Sequence, residues 1–198
     1  MSDTFVLPRR PRCAACDLPA RTCLCALVTA VRNEVEVLVL QHPDEAREAK
    51  NSARLLRLGL ARCRVVVGEV FEPDELVSLL GRDVSGAILL YPADTVTGTT
   101  APVSSARTDR LVVLDGTWRK TLRMLHANPL LQSLPRQSIL ASAPARYGVL
   151  RKAPRPGQLS TLEAACAALA HIERAPSRYA PMLEAFDRFV ADRVARSK

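Results

Sequence analysis

Apolar and polar positions along this chain follow two different periods, and the two alternate. Residues 34–41 (EVEVLVLQ) form an aliphatic, β-branched run that predicts a strand. Residues 44–60 then carry Ala49, Ala53, Leu56 and Leu60 on one stripe at helical spacing, predicting a single helix. A second strand is expected over 64–70, and a short helix over 73–80 that opens with Pro73, a residue suited to a first helical turn. Further strands are expected over 86–91, 111–114 and 138–141. Helices are expected over 160–172 and 182–194, the latter aligning Met182, Phe186, Phe189, Val190 and Val194 on one face. Strand–helix alternation of this kind predicts an α/β domain with a parallel-rich sheet and flanking helices.

The fourth strand ends in the most informative segment. Leu111-Val112-Val113-Leu114 delivers Asp115, Gly116, Thr117 and the chain's single tryptophan, Trp118, to one turn, and the basic segment Arg119-Lys120-Thr121-Leu122-Arg123 follows in a helical pattern. In open α/β sheets ligands bind outside the carboxyl ends of strands. An indole beside a carboxylate suits a ligand with a flat base and a positive charge. Taken singly, each residue also has a structural reading: Asp115 as a helix cap, Trp118 as core, Thr117 as a helix-start hydroxyl. Their adjacency at a strand end favours a site. Two long polar stretches, 92–110 and 144–157, also follow predicted strands and are placed to converge on the same edge.

Four of the six cysteines, Cys13, Cys16, Cys23 and Cys25, fall within thirteen residues. Two closely spaced thiolate pairs can close a tetrahedral Zn²⁺ site, and a set of four thiolates leaves no open position for catalysis. The expectation is a structural zinc knuckle in residues 1–30 ahead of a catalytic domain over 31–198; four free or redox-active thiols are the alternative. Cys63 and Cys166 stand alone in apolar surroundings and read as packing residues.

Charge narrows the choice of partner. The net charge is +8, but residues 117–198 hold 14 Lys+Arg against 5 Asp+Glu, while the segment before them is close to neutral. A positive excess beginning at the Asp115 turn favours a phosphate-rich substrate reaching that turn. Arg119 and Arg123 share a helix face, with Lys120 beside them, and Arg151, Lys152 and Arg155 lie in the second polar stretch. His42, just after the first strand, is placed to orient a substrate or to cap the helix it precedes. No apolar run approaches the ~20 residues of a membrane span. The first twelve residues lack the apolar stretch of a secretory leader, so a cytoplasmic location is expected. Nucleotide-binding glycine loops and the usual hydrolase and metalloprotease motifs are absent, and with only three histidines a His-based nucleophile pair is disfavoured.

The ordered set of Cys13/Cys16 and Cys23/Cys25, His42-Pro43-x-Glu45 with Lys50-Asn51, Tyr91-Pro92 and Asp115-Gly116-Thr117-Trp118 resembles the DTW-domain family. Tyr147-Gly148-Val149-Leu150-Arg151-Lys152 and Leu159-Ser160-Thr161-Leu162-Glu163-Ala164 are similar to that family's later blocks, so the resemblance spans about residues 12–175. Pro92-Ala93-Asp94 and Arg119-Lys120-Thr121 depart from the family pattern, which leaves individual ligand contacts open.

The resemblance implies a tRNA-uridine aminocarboxypropyltransferase. Such an enzyme moves the 3-amino-3-carboxypropyl arm of S-adenosylmethionine, rather than its methyl, to N3 of a uridine, giving acp3U and 5′-methylthioadenosine. Asp115 and Trp118 are then the catalytic candidates, with Asp115 either taking the N3 proton or binding the ammonium of the donor arm. The donor pocket is implied at Tyr91, Pro92, Leu114, Thr117 and Trp118, with Tyr147, Leu150, Arg151 and Thr161 on the adenosine. The tRNA is implied at His42, Lys50, Arg119, Lys120, Arg123, Lys152 and Arg155. The family is also similar to SPOUT-type methyltransferases, which implies a C-terminal trefoil knot; monomer and homodimer both remain open. Two alternatives stand beside this reading: a SAM-dependent RNA methyltransferase of SPOUT type, and a non-catalytic zinc-containing RNA-binding module.

Overall fold

The computed structural model describes residues 11–48, 50–81, 84–92, 108–138 and 159–195. Strands β1 (Glu36–Gln41), β2 (Cys63–Val67), β3 (Ala87–Leu90), β4 (Arg110–Asp115) and β5 (Arg136–Gln137) form one sheet in the order β2-β1-β4-β3-β5. Every pairing in it is parallel, as the strand–helix alternation predicts. The helices are α1 (Pro43–Arg47), α2 (Ala53–Gly59), α3 (Pro73–Leu80), α4 (Trp118–Ala127), α5 (Pro129–Ser133), α6 (Thr161–Ile172) and α7 (Ala180–Ala195).

Successive strand residues point to opposite faces, and each face has its own core. Val37, Val39, Leu111 and Val113 pack with Leu55 and Leu56 of α2, Leu169 of α6 and Phe186 and Phe189 of α7. Leu38, Leu40, Val112 and Leu114 pack with Leu76 and Leu79 of α3, Met124 of α4 and Leu131 of α5. Burial on both faces explains why these strands read as unbroken apolar runs. The N-terminal segment adds Cys16, Leu18 and Leu24 to the α2/α6/α7 core, and Arg57 of α2 donates to the Ala15 carbonyl at 2.6 Å.

Topology fixes where a ligand can enter. The neighbouring strands β1 and β4 hand the chain to opposite faces, β1 through α1 towards α2 and β4 directly to α4. The crevice between their carboxyl ends is therefore the switch point of the sheet. Gln41 and Asp115, the last residues of these strands, are register partners there.

Two expectations need correction. The helix predicted over 44–60 is two helices, α1 and α2. Glu48 leaves the helix at φ −71°, ψ 122°, and the Asn51 side chain caps the restart by accepting from Ala53 N–H at 2.9 Å. A side-chain acceptor offering itself to the backbone competes with helix continuation, which apolar spacing alone does not register. The fifth strand lies earlier than 138–141: β5 is Arg136–Gln137, Ser138 is outside it, and 139–141 fall outside the described residues. Short α5 was not anticipated. The described residues do not test the expected C-terminal trefoil knot, since 139–158 lie outside them. No helix among the described residues is long and apolar enough to cross a membrane.

Candidate functional site

Asp115 is 4% exposed and accepts from three side chains. Gln41 Nε2 and Asn51 Nδ2 donate to Oδ2 at 2.8 and 2.6 Å, and Thr161 Oγ1 donates to Oδ1 at 2.6 Å. Gln41 Nε2 is also 3.1 Å from Asn51 Oδ1, which closes the cluster. The carboxylate thus ties together the ends of β1 and β4, the start of α2 and the first residue of α6. That helix begins with a reciprocal capping box between Ser160 and Glu163. Asp115 does not cap α4; Thr117 occupies the N-cap position, without a side-chain cap bond. Backbone bonding adds one more tie, from His42 N–H to the Asp115 carbonyl at 2.9 Å.

On the other side of the β4 end, Trp118 opens α4 and is 42% exposed. Its ring stacks on Tyr91 at 5.2 Å between centroids and 11° between planes. Tyr91, just past β3, is 5% exposed, and burial pushes its phenol above the ordinary value. Arg136 of β5 lies over the Tyr91 ring at 5.8 Å and reaches the Pro92 carbonyl at 3.5 Å. A flat, half-open aromatic wall therefore stands within three residues of a buried, fully oriented carboxylate.

The expected site residues separate into groups. Asp115 and Thr161 are in direct contact, as are Tyr91 and Trp118. Leu114 is buried in the α3/α4/α5 core, while Thr117 is exposed at the turn. Lys50, Arg119 and Arg123 are exposed, and Arg123 pairs with Glu69. Lys120 is held by Glu45 at 3.0 Å and Asp44 at 3.3 Å, an arrangement that raises its pKa. His42 is 6% exposed; its Nδ1 accepts from Asp44 N–H as the cap of α1, and its Nε2 is 3.3 Å from Glu69. The structure thus uses this ring as a cap. Tyr147, Leu150, Arg151, Lys152 and Arg155 lie outside the described residues. Gln41, Asn51 and Arg136 were missed. A polar residue ending an otherwise apolar strand was the available signal for Gln41.

The thiols of Cys13, Cys16, Cys23 and Cys25 form a second centre, with all four Sγ atoms within 4.8 Å of one another. Cys13 and Cys25 are 3.7 Å apart, as are Cys16 and Cys23. A tetrahedron with metal–sulfur bonds of ~2.3 Å has edges of ~3.8 Å, whereas a disulfide is ~2.05 Å long. Backbone N–H groups of Cys16 and Ala15 pull the Cys13 thiol down to about 6, while burial and neighbouring thiols push Cys25 up to about 12. A divalent cation relieves this opposition among crowded thiolates. The donor set fits a tetrahedral metal ion.

The DTW domain model matches residues 10–194. The chain belongs to the DTW-domain family. Curated relatives of this DTW domain include the mouse and fruit-fly proteins named tRNA-uridine aminocarboxypropyltransferase 2. Each is 32% identical over 174 residues, covering 84% and 85% of this chain. A macaque protein of the same name is 30% identical over 174 residues. The chain spans 58% of the mouse and macaque proteins and 69% of the fly protein. No solved structure matches.

Proposed function

We propose that this DTW domain transfers the 3-amino-3-carboxypropyl group of S-adenosylmethionine to N3 of a tRNA uridine. The observation that carries this reading is the DTW match over residues 10–194, which includes the Asp115 turn at the switch point of the sheet. The residues present fit such a donor. Trp118 on Tyr91 offers a flat wall to a nucleoside, and the buried Tyr91 hydroxyl forms no well-aligned hydrogen bond among the described residues, with the Thr121 side chain its neighbour. Bound there, the donor supplies an electrophilic carbon on a sulfonium. In the balanced reaction, uridine N3 forms the new C–N bond, the C–S bond breaks with its electron pair on sulfur, and the N3 proton is released.

The protein's contribution is positional. Any carbon on the sulfonium is electrophilic, so the wall must pack the methyl and leave the longer arm facing the RNA. Asp115 acts in this scheme as a fixed negative charge and a positioning residue. Its oxygens already accept from three side-chain donors, which fixes their orientation. Arg119 and Arg123, one turn apart on α4, present cations beside the wall for tRNA phosphates, with Lys50, Lys152 and Arg155 as further contacts. Residues 1–30 serve as a zinc-stapled segment and 31–198 as the catalytic part, with a SPOUT-like knot in the C-terminal connection.

Mass spectrometry of tRNA nucleosides after incubation with the protein and donor tests this directly. The expected result is acp3U together with released 5′-methylthioadenosine. Label from the donor methyl appearing in RNA would establish a methyltransferase instead. Tight tRNA binding with neither product would leave a binding module.

A further inference from the structure

Among the described arginines, Arg136 is set apart by its burial. It is 8% exposed, and its Nη2 is buried without a hydrogen-bond partner. Two partly buried arginines have carboxylates: Arg110 meets Glu36 at 2.6 Å, and Arg178 meets Glu173 at 2.6 Å; Arg54, also partly buried, has an Nη1 without a hydrogen bond. Arg136 is more enclosed than any of these, and its contacts among the described residues are the Tyr91 ring and the Pro92 carbonyl. The Tyr91 hydroxyl, also buried, forms no well-aligned hydrogen bond, with the Thr121 side chain its neighbour. An enclosed guanidinium with no counter-charge among the described residues is costly, so the position is prepared for an anion brought from outside. It adjoins the aromatic wall through Tyr91, which stacks on Trp118.

We propose that Arg136, assisted by the Tyr91 hydroxyl, is the carboxylate-binding residue of the donor pocket. This rests on the transferase reading and deepens it. The donor carries a single carboxylate, at the far end of the arm to be transferred. Anchoring that end fixes the arm and leaves the methyl as the group without a polar handle, which is the selection the reaction requires. A backbone phosphate of tRNA is the other anion at hand, but the guanidinium is too enclosed for a duplex strand to approach. The planar fork of arginine also matches a carboxylate by two parallel bonds.

Isothermal titration of the full chain with four nucleosides tests the assignment. The probes are S-adenosylmethionine and its decarboxylated form, S-adenosylhomocysteine, which has the arm with its carboxylate, and 5′-methylthioadenosine, which has no arm. Arg136→Met is expected to weaken S-adenosylhomocysteine about 10- to 100-fold, the loss of a charge-assisted pair, and to leave methylthioadenosine within about twofold. Arg136→Lys falls between. An unchanged affinity for S-adenosylhomocysteine, or an equal loss for both ligands, overturns the proposal. The wild-type protein supplies a check that does not depend on the variant folding: equal affinity for S-adenosylmethionine and its decarboxylated form also overturns it. Lost tRNA affinity with intact nucleoside binding would assign Arg136 to a phosphate and reject the carboxylate role. A wild-type chain that binds none of these nucleosides rejects the transferase reading along with it, whereas nucleoside binding insensitive to Arg136 rejects this inference alone.

Discussion

Replacing Asp115 by asparagine and by alanine separates the charge of the site from its architecture. In Asp115→Asn the amide oxygen takes the place of Oδ2, accepting from Gln41 and Asn51. The new NH₂ then donates to the Thr161 hydroxyl, which turns from donor to acceptor. All three contacts survive, and only their charge assistance is lost. Bonds to an ion contribute about 1.5–3 kcal/mol and neutral ones about 0.5–1.5, but the neutral variant also avoids burying a charge. A net loss of about 1–2 kcal/mol is expected, or a Tm drop of about 2–8 °C for a chain of this size. In Asp115→Ala the two amides lose their shared acceptor inside a buried cluster, while the Thr161 hydroxyl can rotate. At about 1–3 kcal/mol for each stranded donor, the loss is about 3–5 kcal/mol, or about 6–20 °C. Differential scanning calorimetry reads both values, and nucleoside mass spectrometry reads activity on the same samples. The expected outcome is a well-folded, inactive Asp115→Asn and a markedly unstable Asp115→Ala. Equal melting temperatures for the two variants would refute the clasp, and full activity in Asp115→Asn would refute the need for its charge.

Elemental analysis of purified protein should find one zinc per chain, and Cys16→Ser should abolish it; mass-shifted disulfide peptides in its place would sink the metal assignment. Glu173 gives a pH prediction. Burial alone would raise its pKa, but bonds from Tyr179, the N–H groups of Val35 and Glu34, and Arg178 outweigh it and hold the carboxyl below 4.5. Its stabilisation is therefore complete above 4.5 and fades as pH falls through the lower folded value. The stability gap between wild type and Glu173→Gln in urea titrations should accordingly shrink on acidification, and a gap that widens would contradict this sign. Gly59→Ala tests packing of α2 on α7: a Cβ there would collide with Met182 Sδ and lie 2.8 Å from Val28 Cγ1. Despite alanine's better helix propensity, a net loss of about 1–2 kcal/mol is expected, and a stabilised variant in chemical denaturation would show that this interface yields freely.

Much of the fold was legible because local periodicity suffices for it. Pro73–Leu80 is the predicted helix at its predicted ends, since a proline start and an apolar stripe are both local features. The fourth strand and the turn after it were likewise readable from an apolar run broken by an acid. The thiol cluster was legible as spacing, and the structure closes its four sulfurs to within 4.8 Å. By contrast, the break between α1 and α2 was hidden, because Asn51 interrupts the helix through a bond to Ala53 N–H and an appointment with Asp115 64 residues away. His42 was ambiguous between substrate contact and cap until its burial placed it on the Asp44 N–H.

The sequence by itself determined the alternation of strands and helices, the thiol cluster, the family and the place of Asp115 at a strand end, all of which rest on residues near one another in the chain. Only the tertiary structure decided what meets at that turn. Parallel register placed Gln41 opposite Asp115, the switch of sheet faces opened the crevice, and the start of α6 brought Thr161 to the same carboxylate. It alone set Arg136 beside Tyr91 without a counter-charge among the described residues. Spacing encodes local hydrogen bonds and buried faces, but a contact between distant segments depends on strand order and burial, which no local pattern specifies.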